Sequence, residues 1–377
     1  ISNDSKHSLW NGNETVFNIA YSIHSNKMAQ NSVYNSYLSS LSYTIPMGKD
    51  KYLAFGLNPH TLANIDFQET FYNYIGVGEN SDLVNPLSYN TNYISDGGIS
   101  KAYLNLTCKL SDKIYLGVKS SHLFGNLERQ KIIRLYDIIY GVNDNGEFDI
   151  DSTYYSLNDS MIVNKVNEFK GNSLQLEGKY VNNDNEFILS GVYRFPLKIK
   201  MKMFLNPFVN PSNESLGLFS SLEEMEYYTD PNQVFSYRLE PMIKSYSLGY
   251  KRKMDEKSML FRFMRQNADD YNNRFMYLQD PDIVSIDFLY TSNLPLLNYS
   301  QYEVGLFYKV LKIAESDDCD YGITGGLNLK FIDKDAFNIS FRIGERTHNL
   351  LEINKERYFS LRLSLENIEE WFIKGEN

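Results

Sequence analysis

From Asp96 to Gln130 the chain alternates apolar and polar positions in two runs separated by a small polar turn. Ala102, Leu104, Leu106, Cys108 and Leu110 share one face of the first run. Lys101, Tyr103, Asn105, Thr107 and Lys109 share the other. In the second run Ile114, Leu116 and Val118 alternate with Tyr115, Gly117 and Lys119. A period of two is that of a β-strand with one apolar face. The linker Ser111-Asp112-Lys113 is short enough to make the pair an antiparallel hairpin.

The same alternation recurs along the chain and predicts strands at about 14–24, 33–47, 52–61, 99–110, 114–131, 161–181, 186–202, 242–254, 258–267, 282–293, 300–314, 320–332, 336–347 and 356–369, fourteen in all. It is cleanest near the C-terminus, where Phe337, Ile339, Phe341 and Ile343 oppose Asn338, Ser340, Arg342 and Gly344. Short polar links follow the even-numbered strands, as at Gly48–Lys51, Asn182–Asn185 and Asp255–Lys257. The long connections, about 62–98, 132–160 and 203–241, follow odd ones. Tight turns at one end and long loops at the other are the anatomy of an outer-membrane barrel. A β-sandwich needs no such asymmetry, and a propeller would show a blade-length repeat that this chain lacks. The expected fold is therefore all-β: a 14-stranded antiparallel transmembrane β-barrel with short periplasmic turns and long extracellular loops. The chain is expected to form one domain, with residues 1–12 preceding the barrel, 13–372 forming it and 373–377 as a tail. An even strand number puts both termini on the periplasmic side.

Composition agrees. Aromatic residues make up 15% of the chain, with Tyr 30 and Phe 23 against Trp 2, which suits many amphipathic strands and argues against disorder. No apolar run reaches the roughly 18 residues of a membrane helix, and barrel strands need none. A net charge of −10 argues against a nucleic-acid partner. Cys108 lies on an apolar strand face and Cys319 in an acidic turn, with no further ligands beside either to build a metal site. Tyr43, Tyr52, Phe124, Tyr180, Tyr193, Phe195, Tyr250, Tyr290, Tyr358, Trp371 and Phe372 fall near strand ends, where an interfacial aromatic girdle would place them.

The runs YLAFGLNPHTLANIDF (52–67), GGISKAYLNLTCKLSDKIYLGVKSSHLFGNLERQ (97–130) and RYFSLRLSLENIEEWF (357–372) resemble the FadL-like outer-membrane transporter superfamily. It comprises fatty-acid and aromatic-hydrocarbon transporters and the PorV-like barrels that partner secretion systems. The resemblance implies a fourteen-stranded monomeric barrel and passive uptake of hydrophobic or amphipathic small molecules. The alternative it implies is a PorV-like barrel that docks a partner protein. Transporters of the family carry an N-terminal hatch inside the barrel, whereas only about a dozen residues precede the first strand of this sequence, which favours the PorV-like side.

No HExxH, GxSxG, phosphate loop or CxxC is present, so no enzyme activity and no cofactor are expected. The expected ligand site is the lumen, lined by Lys101, Tyr103, Tyr115, Lys119, Phe307, Lys309, Arg342 and Arg362. Rings beside cations suit an amphipathic anion. The competing reading is a salt-bridged polar filling involving Glu177, Glu303 and Asp287, since a small barrel must fill its interior. Phe204, Phe208, Leu218, Phe219, Met225, Tyr227 and Tyr228 make the 203–241 connection unusually apolar. They are expected to form a lid, a groove or a partner contact. Asp144, Asp149 and Asp151 form a weak calcium pattern that lacks a terminal bidentate Glu; an ordinary polar turn explains them better. Expected partners are outer-membrane lipid, a hydrophobic small molecule or, on the other reading, a partner protein.

Overall fold

A computed structural model describes residues 15–28, 31–48, 50–76, 84–142, 148–208, 234–239, 243–268, 282–294, 300–313, 316–331, 335–347 and 355–369. The strand segments are β1 (Thr15–Met28), β2 (Asn31–Pro46), β3 (Lys51–Gly76), β4 (Val84–Ser111), β5 (Ile114–Val142), β6 (Phe148–Asn182), β7 (Asn185–Arg194), β8 (Lys198–Phe208), β9 (Val234–Leu239), β10 (Ile243–Met254), β11 (Lys257–Ala268), β12 (Asp282–Asn293), β13 (Gln301–Ile313), β14 (Ser316–Phe331), β15 (Asp335–Thr347) and β16 (Lys355–Glu369). All pair antiparallel, mostly with their sequence neighbours. β1 joins β16, and β5 joins β6.

Two wall strands are broken. β6 pairs with β7 over Ser173–Asn182 and with β8 over Ser160–Lys170, so β7 and β8 are halves of one strand. β9 lies against β8 and β10 against β7, making the next strand in the same way. Counted so, the wall is a closed barrel of fourteen strands. At the tight turns, Asn183 (φ 53°) and Asp255 (φ 49°) adopt the left-handed conformation that Asn and Asp tolerate.

The faces run as the alternation predicts. Phe17, Ile19, Tyr21 and Ile23 on β1 point outward and are exposed, as are Leu104, Leu106, Leu116 and Val118 on the β4–β5 hairpin. Between them Asn18, Ser22, Asn105, Thr107 and Lys119 point inward and are buried. An apolar band facing out over a polar interior is a lipid-embedded wall. The girdle expectation needs one correction: Tyr52 and Tyr358 are only 4% and 7% exposed and face the lumen. Trp371 and Phe372 lie outside the described residues. Cys108 and Cys319 are both free thiols.

The expected long connections are largely strand. β3 reaches Gly76, β5 reaches Val142, and β6 and β8 cover much of 148–208. A membrane strand needs only about 9–11 residues, so these hairpins project well past the lipid. Alternation fails there because the outer face meets water. Asn164 donates to Glu128 (2.7 Å) and Lys202 pairs with Glu168 (3.0 Å) on that face.

The projecting strands bend along one line. The β3–β4 register shifts between Pro59 and Thr61. Beside it, Gly97 (φ 108°) and Gly125 (φ 153°) carry backbone that L side chains rarely adopt, and each approaches the facing carbonyl so closely that a β-carbon would collide. The line continues to the Phe195-Pro196-Leu197 break between β7 and β8. On its lumen side Leu123, Leu127, Phe169, Leu197 and Ile199 form a buried apolar cluster with Ile99 against it.

Candidate functional site

The wall parts between β2 and β3. Their pairing runs only from Pro46↔Tyr52 to Leu41↔Leu57. Above that rung β2 pairs with β1 as far as Met28↔Asn31, and β3 pairs with β4 as far as Gly76↔Val84. Among the described residues neither strand pairs with the other there. A bulge on each side accounts for the divergence. Ser39 is an extra residue in β2 opposite the Ala20/Tyr21 step, and His60 is skipped in the β3–β4 ladder beside Pro59. Bulges bend a strand, and a proline, lacking an N–H, belongs on an unpaired edge. The outer flanks of the parting are apolar, with Leu38 and Leu57 exposed.

Several expected lumen residues gather at this parting. Tyr103 faces Gly56 across the β3–β4 ladder, directly below it. The Lys119 ammonium stands 4.0 Å from the centre of the Tyr103 ring. Lys101 lies one inward position higher, opposite Asn58. On the β2 side, Arg362 donates to the Ser40 hydroxyl (2.8 Å), and Ser40 donates to Asn18 (3.2 Å). Cations and a ring thus stand on both sides of a gap whose outer lips are apolar. That arrangement fits an amphipathic anion, with the ring and lips toward its tail and the cations toward its head.

The other expected residues lie elsewhere. The Arg342 guanidinium lies 3.6 Å over the Phe307 ring. It belongs to an inward cluster on β14–β16 in which Asp320 accepts from Tyr358 (2.6 Å) and pairs with Arg346 (3.5 Å) and Arg342 (3.7 Å). Arg346 also pairs with Glu356 at 3.2 Å. Lys309 faces Asp320 across the β13–β14 ladder. Tyr115 sits near the tight turns under the Lys179 ammonium, 4.6 Å from its ring centre. The β13–β16 wall thus carries a charged filling in which Asp320 and Glu356 are the carboxylates that meet the arginines. The expected Glu177, on β6, is buried and accepts from Gln175. Sequence reasoning missed Asp320 and Glu356 because a lone inward carboxylate carries no local signal. It missed the parting too, although Pro59 inside a run read as a strand was the available clue.

Phe204 and Phe208 lie on β8, not in a loop. Leu218, Phe219, Met225, Tyr227 and Tyr228 lie outside the described residues. Asp149 and Asp151 lie on β6, while Asp144 is outside the described residues. Among the described residues no group of His, Cys, Asp or Glu is arranged to hold a metal.

In sequence, the model of the BamG family matches residues 3–193, and no curated protein matches the chain. In structure, the barrel is similar to the CymD monoaromatic hydrocarbon channel, with a TM-score of 0.53 at 9% identity, covering 94% of this chain and 88% of that one. It is also similar to a Pseudomonas aeruginosa FadL homologue, with a TM-score of 0.50 at 9% identity, covering 95% and 90%. At such identity the likeness is one of fold. The chain belongs to the BamG family, and its fold is a closed antiparallel β-barrel with the architecture of those two proteins.

Proposed function

We propose that this barrel mediates passive uptake of hydrophobic or amphipathic small molecules, which pass between lumen and membrane through the parting of β2 and β3. The observation that carries this reading is the end of β2–β3 pairing at Leu41↔Leu57, directly above Tyr103 and Lys119 and beside Arg362. An apolar molecule needs no water-filled path if the wall opens to lipid. The cations inside would favour a carboxylate or phosphate head over a neutral one. In the bacterial membrane the tight turns and both termini would face the periplasm, as short turns do in such barrels.

The test is uptake of a labelled long-chain fatty acid and of a neutral aromatic hydrocarbon by cells lacking their own transporter. Expression should raise both. Lys119→Gln with Arg362→Gln should lower fatty-acid uptake severalfold and spare the hydrocarbon. No gain over empty cells for either compound would sink the proposal.

A second reading is favoured by one observation. The projecting sheet has two strands with an unpaired edge among the described residues: β3 beyond Leu57, and β9, which pairs only with β8. Open edges are templates for another chain. On that reading the barrel docks a partner protein, which would co-purify at fixed stoichiometry and be lost when β9 is deleted, with uptake absent throughout.

A further inference from the structure

On the outer wall at the long-loop end, Lys27 and Arg357 stand directly opposite each other in the β1–β16 ladder. Both point outward and are exposed, the Arg357 side chain by 76%. One outward position nearer the tight turns, the same wall is apolar, with Phe359, Ile343 and Ile323 in a row across β16, β15 and β14. The two cations therefore mark the edge of the hydrocarbon, at headgroup level. Like charges directly opposite repel. The nearby carboxylate on this face, Glu345, is already engaged by Tyr321 (2.9 Å), Arg357 (3.1 Å) and Lys355 (3.2 Å). Among the described residues Lys27 has no acidic partner. Three cations thus stand around one carboxylate, which pairs with two of them, Arg357 and Lys355. A groove of about 470 Å³ runs between them, bounded by Lys27, Arg357, Tyr321, Ile343 and Phe359.

We propose that this groove holds a phosphate-bearing lipid of the surrounding leaflet. Its phosphate lies between Lys27 and Arg357, and one acyl chain runs down over Phe359, Ile343 and Ile323. The anion removes the repulsion that the fold otherwise leaves between the two cations, and a guanidinium matches a phosphate with two parallel hydrogen bonds. The apolar row immediately below explains why the occupant is a lipid and not a free anion, which would gain nothing from it. The site is independent of whether the lumen transports anything.

The test is native mass spectrometry of the full-length protein in detergent, incubated separately with phosphatidylglycerol, diacylglycerol and inorganic phosphate. Phosphatidylglycerol should be retained at one per barrel, and the other two should not. Lys27→Gln breaks no ion pair among the described residues and should weaken retention about fivefold, the typical worth of one interfacial cation. Adding Arg357→Gln should weaken it further. Arg252→Gln, on the outer face at the opposite end, should leave it unchanged. A heat-modifiable gel shift shows that each variant is folded. Unchanged retention in the folded double variant would overturn the proposal. So would equal retention of diacylglycerol, or binding of inorganic phosphate alone.

Discussion

The ring of Tyr103 occupies the space in which a β-carbon on Gly56 would sit, 2.7 Å from the ring and 2.6 Å from the Leu41 carbonyl. This contact lies at the top of the β2–β3 pairing, where the two strands separate, and it holds Tyr103 beneath Lys119. Gly56→Val should push the ring aside and loosen the last rungs. Overpacking of this kind costs about 1–3 kcal/mol, so the thermal midpoint followed by gel shift should fall. Pairing it with Tyr103→Ala should recover part of the loss, because two residues in contact do not act additively, while the clash with the Leu41 carbonyl remains. A double variant as unstable as the sum of the singles would show that the ring is not what Gly56 accommodates.

Asp320 should be the most sensitive residue of the β14–β16 cluster. It is 2% exposed and meets Tyr358, Arg346 and Arg342. Asp320→Asn leaves two guanidinium groups short of a buried counter-charge, a change worth about 3–5 kcal/mol. Tyr358→Phe removes one hydrogen bond and should cost about 1 kcal/mol. Urea unfolding in lipid vesicles ranks the two. A loss in Asp320→Asn no larger than in Tyr358→Phe would mean that water already solvates the arginines.

Which of these features the sequence announces depends on what each face of a strand meets. Where one face meets lipid and the other the lumen, as in Phe337 to Ile343, the alternation is strict and the strand and its direction are both legible. Where β3 to β6 rise past the lipid, the outer face no longer meets hydrocarbon and the strict alternation lapses, so the pattern predicts strand ends near residues 61 and 131 although the backbone runs on. The lumen face was legible as a set: Lys101, Tyr103, Tyr115, Lys119, Phe307, Lys309, Arg342 and Arg362 all point inward. Their grouping was not, because it depends on strand order and shear. Arg362 reaches Ser40, far along the chain, only because β16 closes onto β1.

Acid should reveal the Glu345 cluster. Hydrogen bonds from Tyr321, Lys355 and Arg357 hold this carboxyl down to about 2 from its ordinary 4.5. A carboxylate with a lowered folded-state value stabilises the fold above its unfolded value, and that contribution fades as pH falls toward the folded one. The contribution should therefore be complete above about pH 4.5 and disappear by about pH 2. The group lies at headgroup level, within reach of water and salt, so the effect is small and weakens with salt. Thermal midpoints between pH 5 and 2 at low salt should fall more steeply for the wild type than for Glu345→Gln. Parallel curves would remove Glu345 from the acid response.

The apolar cluster below the bend should carry much of the stability of the projecting sheet. Leu197 is 2% exposed and follows Pro196 at the break between β7 and β8, packed with Phe169, Leu123 and Ile199. Pro196 cannot donate to β6, and three residues on this strand oppose two on its partner, so the ladder is locally weak. Packing must hold the bend where hydrogen bonds do not. Leu197→Ala removes that packing at about 2–5 kcal/mol if the site does not collapse. The damage should be local, because the lipid-embedded strands keep their own ladders. Hydrogen exchange should quicken across β8 and the upper parts of β5 and β6, while β11 to β16 keep wild-type protection. Uniformly faster exchange around the whole barrel would instead mean that the cluster supports the wall itself.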